Sequence, residues 1–340
     1  MFGLGWLRAL TDARGLLEHA HHGVPRLGEG YTTDDNARAL LYLSLLPEGA
    51  RDEGLVRTYL AFLLHMQKED GRFRNGLTLD GRFEDEGEAE DPTGRAVLAL
   101  AAAQRLPPPY AGPAREALLR ALPALEGFTS LRGRAYALLG LLALPKEPFL
   151  EAAEALGEGL LRAFREAEPA WPYPGPLTYA NHRPVEALYA YGLAFRRQEA
   201  VALARRALAF LKEHYFTPGE EGLFFDPVGN RFMARGRDKP LFDQQPIEAK
   251  CALLAHLRFG ERVLAEVAFL WFHGRNRLRA PLVDACGPMD GLTPHGPNQN
   301  RGAEALLASL LAWQALVQGV FPQVDEGVAL GRVFALGGRP

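Results

Sequence analysis

The sequence predicts an all-α protein built as an (α/α)6 barrel, and three observations carry that prediction. Apolar residues recur with helical rather than alternating period through about twelve segments. Six polar clusters, roughly 40 to 60 residues apart, stand before or at the start of every second segment. The segments behind the clusters are rich in small apolar residues, whereas those between them carry charged faces. Helices apolar on most sides are buried, small residues let backbones approach, and a charged face marks an outer layer. Twelve helices alternating inner and outer would close into a barrel whose parallel inner helices bring all six clusters to one rim.

In chain order the helical segments are 6–20, 35–47, 53–67, 93–105, 112–124, 132–143, 147–166, 184–197, 199–214, 245–257, 260–274 and 301–318. The even-numbered members are the inner ones, as in Ala96-Val-Leu-Ala-Leu-Ala-Ala-Ala103, and the stretches 151–165 and 205–213 show the charged faces of outer ones. Pro107-Pro-Pro109 stops the fourth helix before the fifth. Asp70-Gly-Arg-Phe73, Asp80-Gly-Arg-Phe83 and Gly222-Leu-Phe-Phe-Asp226 predict short β-hairpins over the mouth of the barrel. No low-complexity linker divides the chain, so residues 1–340 are expected to form one domain, the last ~20 being a C-terminal tail.

Composition excludes several classes. With 340 residues and 48% hydrophobic content the chain can bury a large core. A net charge of -3 offers no general attraction to nucleic acid or to an anionic membrane. Apolar runs are interrupted before the roughly 18 residues a membrane span needs. Cys251 and Cys286 cannot make a disulfide framework, and Met1-Phe-Gly-Leu-Gly-Trp6 lacks a basic leader, so a cytoplasmic location is expected. The 33 Arg against 5 Lys point to a GC-rich, thermophilic source.

The clusters are Tyr31-Thr-Thr-Asp-Asp-Asn-Ala-Arg38, Glu90-Asp-Pro-Thr-Gly-Arg95, Ser130-Leu-Arg-Gly-Arg134, Asn181-His-Arg-Pro-Val-Glu186, Phe242-Asp-Gln-Gln-Pro-Ile-Glu248 and Asn298-Gln-Asn-Arg-Gly-Ala-Glu304. Together with Gln67-Lys-Glu-Asp-Gly-Arg-Phe73 after an outer helix, they resemble the six-hairpin glycosidase superfamily. The first, second, fifth and sixth clusters, with Asp290-Gly-Leu292, are more closely similar to a bacterial glycosidase-like group often labelled as glycosyltransferases. The resemblance implies a sugar or oligosaccharide substrate and functional association with a glycosyltransferase.

Cleaving a glycosidic bond takes one protonated carboxyl group and one ionised partner. Asp34, Asp35, Asp91 and Asp243 fall at helix N-termini, where the macrodipole favours the ionised form; each suits a base, and each equally suits a helix cap. Glu186, Glu248 and Glu304 lie about a turn further in among apolar neighbours, where burial raises a carboxyl pKa and suits an acid, or else forms a buried ion pair. The expected catalytic set is Asp34 or Asp35 as base, Glu248 as acid, and Asp243. Expected sugar ligands are Tyr31, Arg38, Glu90, Asp91, Arg95, His182, Glu186, Gln244, Gln245, Asp290, His295, Asn298, Asn300 and Glu304.

Arg38, Arg95, Arg134, Arg183 and Arg301 oppose the dipole of the helices they open, so they either pair with aspartates or recognise an anion. Loop aromatics, among them Phe73, Trp171, Tyr173, Tyr179, Phe225, Phe242 and Trp271, serve as sugar platforms or as core. His19-Ala-His-His22 lacks a Cys partner or a zinc-spaced His-Glu motif, and Gly28-Glu-Gly30 lacks the strand and third glycine of a nucleotide loop; neither metal nor cofactor is expected. Three readings follow: an inverting glycoside hydrolase, a sugar epimerase or isomerase using His182 and His295, and a noncatalytic carbohydrate-binding partner of a glycosyltransferase.

Overall fold

Six helices of this chain are buried along nearly their whole length, and they are the ones that follow the polar clusters. The computed structural model describes residues 3–84, 90–144 and 146–321; the expected tail lies outside them. Among these residues are twelve α-helices: α1 (Gly3–Leu10), α2 (Thr33–Ser44), α3 (Glu53–Met66), α4 (Glu90–Ala102), α5 (Pro108–Leu125), α6 (Leu131–Leu141), α7 (Phe149–Arg165), α8 (His182–Ala194), α9 (Gln198–Tyr215), α10 (Pro246–Arg258), α11 (Arg262–Leu270) and α12 (Ala303–Gln318). The even-numbered helices pack in the order α2, α4, α6, α8, α10, α12 and back to α2, closing the ring. The odd-numbered ones pack outside it, each burying one face. No described helix is long and apolar enough to cross a membrane.

Small residues set the spacing of the ring. A Cβ on Gly94 of α4 would lie 2.4 Å from the Gly133 carbonyl oxygen of α6, and one on Gly140 would lie 2.7 Å from Leu98 Cα. Neither contact is sterically possible, so the glycines permit the approach.

Ion pairs and hydrogen bonds between opening turns show that the inner helices run parallel. Arg95 of α4 reaches Asp34 of α2, Arg132 of α6 reaches Asp91 of α4, Asn181 at α8 reaches Glu248 of α10, and Arg38 of α2 reaches Glu304 of α12. One rim therefore carries all six N-termini.

Short antiparallel pairs decorate the loops: β1 (Ala20–His21) with β2 (Val24–Pro25), β3 (Tyr31–Thr32) with β4 (Gly76–Leu77) and β4 with β5 (Phe83–Glu84), β6 (Phe216–Gly219) with β7 (Gly222–Phe225), β8 (Val283–Asp284) with β9 (Gly287–Pro288), and β10 (Leu292–Thr293) with β11 (Gly296–Pro297). The first helix ends at Leu10 rather than at residue 20. Asp12 accepts the backbone N–H groups of Arg14 at 2.8 Å and Gly15 at 3.2 Å, a local turn that competes with the helix. Gly15 then packs against the Asn36 side chain, whose Oδ1 takes the Leu16 N–H at 2.9 Å. Residues 16–21 are thereby laid along the rim between the first and last inner helices.

Candidate active site

That rerouted segment forms one wall of a cavity of about 380 Å³ at the N-terminal rim, within the range of small-molecule sites, roughly 300 to 1,000 Å³. Glu18 and His19 line it from the segment; Thr32, Asp34, Asp35 and Arg38 from the start of α2; and Asn75 from the loop before β4. Gln245 and Pro246 come from the start of α10, Asp290, Asn298, Asn300 and Gly302 from the loops before α12, and Glu304 and Ala305 from its first turn. The backbone holds these parts in register. The Glu18 N–H donates to Gly30 O at 3.0 Å, and Ala303 N–H donates to Glu18 O at 2.8 Å. A Cβ on Gly302 would meet Glu18 O at 2.8 Å and His19 Nδ1 at 3.1 Å, so this closure requires glycine.

The start of α2 is a reciprocal cap. Thr32 is the N-cap residue: its Oγ1 accepts the Asp35 N–H at 3.2 Å and donates to Asp35 Oδ2 at 2.8 Å. Asp35 is nearly buried, and its other oxygen takes Arg38 Nη1 at 2.5 Å. Arg38 Nη2 donates to Glu304 Oε2 at 2.7 Å and stands 3.7 Å from Asp34 Oδ2. Arg95 Nε is 3.2 Å from the same Asp34 oxygen, so two guanidinium groups face a carboxylate that is still 22% exposed.

Carboxyl groups crowd this cavity, and burial raises the pKa of three of them. Glu18 is pushed up to about 7, first by burial and then by Asp35, with His19 opposing. Asp35 is raised by burial although Arg38 draws it back. Asp290 is raised by burial against the pull of the Gly302 N–H, which donates to it at 2.8 Å. His19 stands 3.6 Å from Glu18 and 3.8 Å from Asp290, and its Nδ1 lies 2.7 Å from the Asn300 amide nitrogen. Among the described residues no three His, Cys, Asp or Glu side chains are grouped to hold a metal ion.

Eight expected site residues line the cavity: Asp34, Asp35, Arg38, Gln245, Asp290, Asn298, Asn300 and Glu304. The others do not. Glu248 is 1% exposed, accepts Asn181 Nδ2 at 3.3 Å, and is raised to about 8 by burial. Asp243 is exposed, in a left-handed backbone conformation with φ of 60°. Tyr31 is buried and donates to Asp12 at 2.5 Å. Glu90 accepts the Thr129 and Ser130 N–H groups ahead of α6, and Asp91 accepts Ser130, Arg132 and Tyr179. Burial works against Asp91, but Arg132 holds its carboxyl below the usual range. Glu186 is clamped by Arg183 at 2.5 Å and Arg258 at 3.0 Å, and Gln244 bonds Asp226, the Leu241 carbonyl and Trp271. Arg95 reaches the site only through Asp34.

The histidine pair is not assembled. His182 is fully buried against Tyr215, Phe225 and His256, and burial holds its pKa well below the usual value; His295 is exposed beside β11. None of the expected aromatic platforms lines the cavity, and Tyr31, Phe73, Tyr173, Phe225 and Trp271 are core.

Sequence reasoning did not place Glu18, His19 or Asn75 in the site, and weighed His19 only within the His19–His22 run as a metal ligand. The first two were absorbed into an overlong helix, although Asp12 and Gly15 carry a turn signal. Asn75 precedes Gly76 in a loop read only as a hairpin.

No family model and no curated protein matches this chain. Solved structures do. The cellobiose 2-epimerase of Bacillus thermoamylovorans B4167 superposes with a TM-score of 0.68 at 9% identity, covering 91% of this chain and 95% of that one. The chain has the six-hairpin glycosidase fold. A D-mannose isomerase superposes at 0.66 with 10% identity over 92% and 94% of the two chains. A GH76 α-mannanase of Bacteroides thetaiotaomicron does so at 0.59 with 10% identity over 98% and 95%. At such identities the six-hairpin likeness is one of fold, and the reaction has to be argued from the cavity.

Proposed function

We propose that this protein is a glycoside hydrolase that binds an oligosaccharide end in the rim cavity, with Glu18 as proton donor and Asp34 as the ionised partner. The observation that carries the reading is the contrast between these two carboxyls within one cavity. Glu18 is half-buried and raised to about 7, and so stays partly protonated at neutral pH and mostly protonated below it. Asp34 faces two guanidinium groups that balance a negative charge. An acid able to protonate a leaving oxygen beside a carboxylate able to activate water, or to stabilise positive charge on the sugar, is the pairing hydrolysis needs. Asn75, Gln245, Asn298, Asn300 and Thr32 supply the donors and acceptors that sugar hydroxyls require. Asp35, tied to Thr32 and Arg38, positions the Asp34 segment rather than acting itself.

The test is release of reducing ends from manno-, gluco- and galacto-oligosaccharides by the unmodified protein, Glu18→Gln and Asp34→Asn. Each variant is expected to lose at least about 100-fold in kcat/KM. The unmodified enzyme should lose activity as pH rises through about 7, as the Glu18 proton dissociates. The first anomer detected by NMR assigns inversion or retention. Undiminished hydrolysis in both variants would remove the assignment.

Sugar epimerisation is the second reading, favoured by His19, the one histidine among the residues lining the cavity. Glu18 at 3.6 Å and Asp290 at 3.8 Å are the carboxyl groups beside it. Deuterium incorporation at the carbon next to the anomeric centre in D2O, lost in His19→Asn and without new reducing ends, would select it.

A further inference from the structure

His19 sits between two carboxyl groups, and one amide decides which of them its ring proton faces. Its Nε2 is 3.6 Å from Glu18 Oε1, and its Nδ1 is 3.8 Å from Asp290 Oδ2. The side-chain nitrogen of Asn300 carries two hydrogens; one goes to Asp290 Oδ2 and the other to His19 Nδ1 at 2.7 Å. Asp290 also accepts on its second oxygen, from the Gly302 N–H at 2.8 Å, so the amide presents its nitrogen rather than its oxygen to that carboxylate. With Nδ1 accepting, a neutral ring carries its proton on Nε2, the nitrogen that faces Glu18.

The backbone fixes this register. His21 pairs with Asn300, the Arg301 N–H donates to Ala20 O at 2.7 Å, and the Asp290 N–H donates to Asn300 O at 2.9 Å. A polar link between two loops would be served by either tautomer. Only a proton on Nε2 serves Glu18.

We propose that Asn300, oriented by Asp290, holds His19 as the Nε2–H tautomer, so that the ring donates to Glu18 when that carboxyl gives up its proton. His19, Asn300 and Asp290 are then positioning residues, and their role rests on the hydrolase reading above. In that reaction the Glu18 proton passes to the glycosidic oxygen, which leaves with the electron pair of the broken C–O bond, and the proton of the attacking water goes to Asp34. Glu18 is left as a carboxylate. Asp34 and Asp35 of α2 and Glu29 ahead of β3 oppose that charge, Arg38 is spent on Asp35 and Glu304, and His19 favours it. The 3.6 Å contact is longer than a hydrogen bond, and contacts of this kind at catalytic groups often close only when substrate is bound. A ring held this way is a donor, and it serves as a base only after Asn300 releases Nδ1.

NMR of the full chain tests the lock without reference to turnover. At pH 8.5, about two units above the ordinary imidazole value, two-bond proton–nitrogen spectra should place the His19 proton on Nε2, the His19 signals being those missing from His19→Leu. Asn300→Asp, which can only accept at Nδ1, should put a proton on that nitrogen. The Glu18 side-chain carbon, titrating at about 7 in the parent, should titrate about one unit higher in His19→Leu, where the carboxylate has lost its donor. His19→Gln, whose amide nitrogen can stand where Nε2 stood, should return it toward the parent value, and the alkaline limb of kcat should move with the titration in each variant. A His19 proton on Nδ1 in the parent, which needs no variant to fold, would overturn the proposal. So would a tautomer unchanged in Asn300→Asp or a Glu18 titration unmoved in His19→Leu. Tautomer and titration as expected, with no reducing ends released from any oligosaccharide, would remove the hydrolase reading and leave the lock standing.

Discussion

Replacing Glu18 by glutamine should make the protein more stable at alkaline pH, and its size follows from the environment of the carboxyl. Moving from 4.5 to about 7 is a rise of about 2.5 units, or ~3.4 kcal/mol of penalty on the ionised form at about 1.4 kcal/mol per unit. Because the side chain is 34% exposed, solvent screening reduces the usable figure to ~1–2 kcal/mol. The folded state holds the proton more tightly than the unfolded chain. Glu18 therefore lends stability that is fully present below pH 4.5, falls between 4.5 and about 7, and is gone above that range. Glutamine mimics the protonated form at every pH. Urea unfolding at pH 4.5, 6 and 8.5 should show the variant gaining ~1–2 kcal/mol on the parent between the first and last conditions. A difference that does not change with pH would refute the claim that Glu18 is held protonated by burial among carboxylates.

Glu248→Gln should follow the same sign over a wider window, from 4.5 to about 8, since Glu248 is raised to about 8 and is almost wholly buried. Relative to pH 4.5, the variant should already gain on the parent at pH 6 and go on gaining until about pH 8, as read by denaturant unfolding. Gly94→Ala should lower stability by ~2–3 kcal/mol, because its Cβ has no room beside the Gly133 carbonyl of α6; a scanning-calorimetry Tm equal to that of the parent would show that the two helices can part at little cost.

Much of the barrel was legible because its cause is local and repeated. The inner helices betray themselves by Ala, Gly and Leu on all sides, and Gly94, Gly133 and Gly140 are there because neighbouring backbones touch. Outer helices such as α7 keep one polar face. The site was half legible. Asp34, Asp35, Arg38 and Glu304 stood out as polar residues opening apolar helices, Asp290 through the resemblance, and all five line the cavity. Glu90, Asp91 and Glu186 looked the same in sequence, yet they are spent on Thr129, Arg132, Arg183 and neighbouring groups. A carboxylate that binds sugar and one that fastens two helices have identical local context, and only the partner across the ring separates them.

The sequence by itself determined the alternation of buried and amphipathic helices, and with it the ring and the rim where polar side chains collect, because periodicity and residue size act within one or two turns. The tertiary structure alone decided which carboxylates face open space. Glu18 shows the reason: 16 residues before Asp34 and 286 before Glu304 in the chain, it shares a cavity with both because Gly302 lets the loop before α12 pack against its backbone. Its raised pKa exists only once burial and Asp35 act on it together.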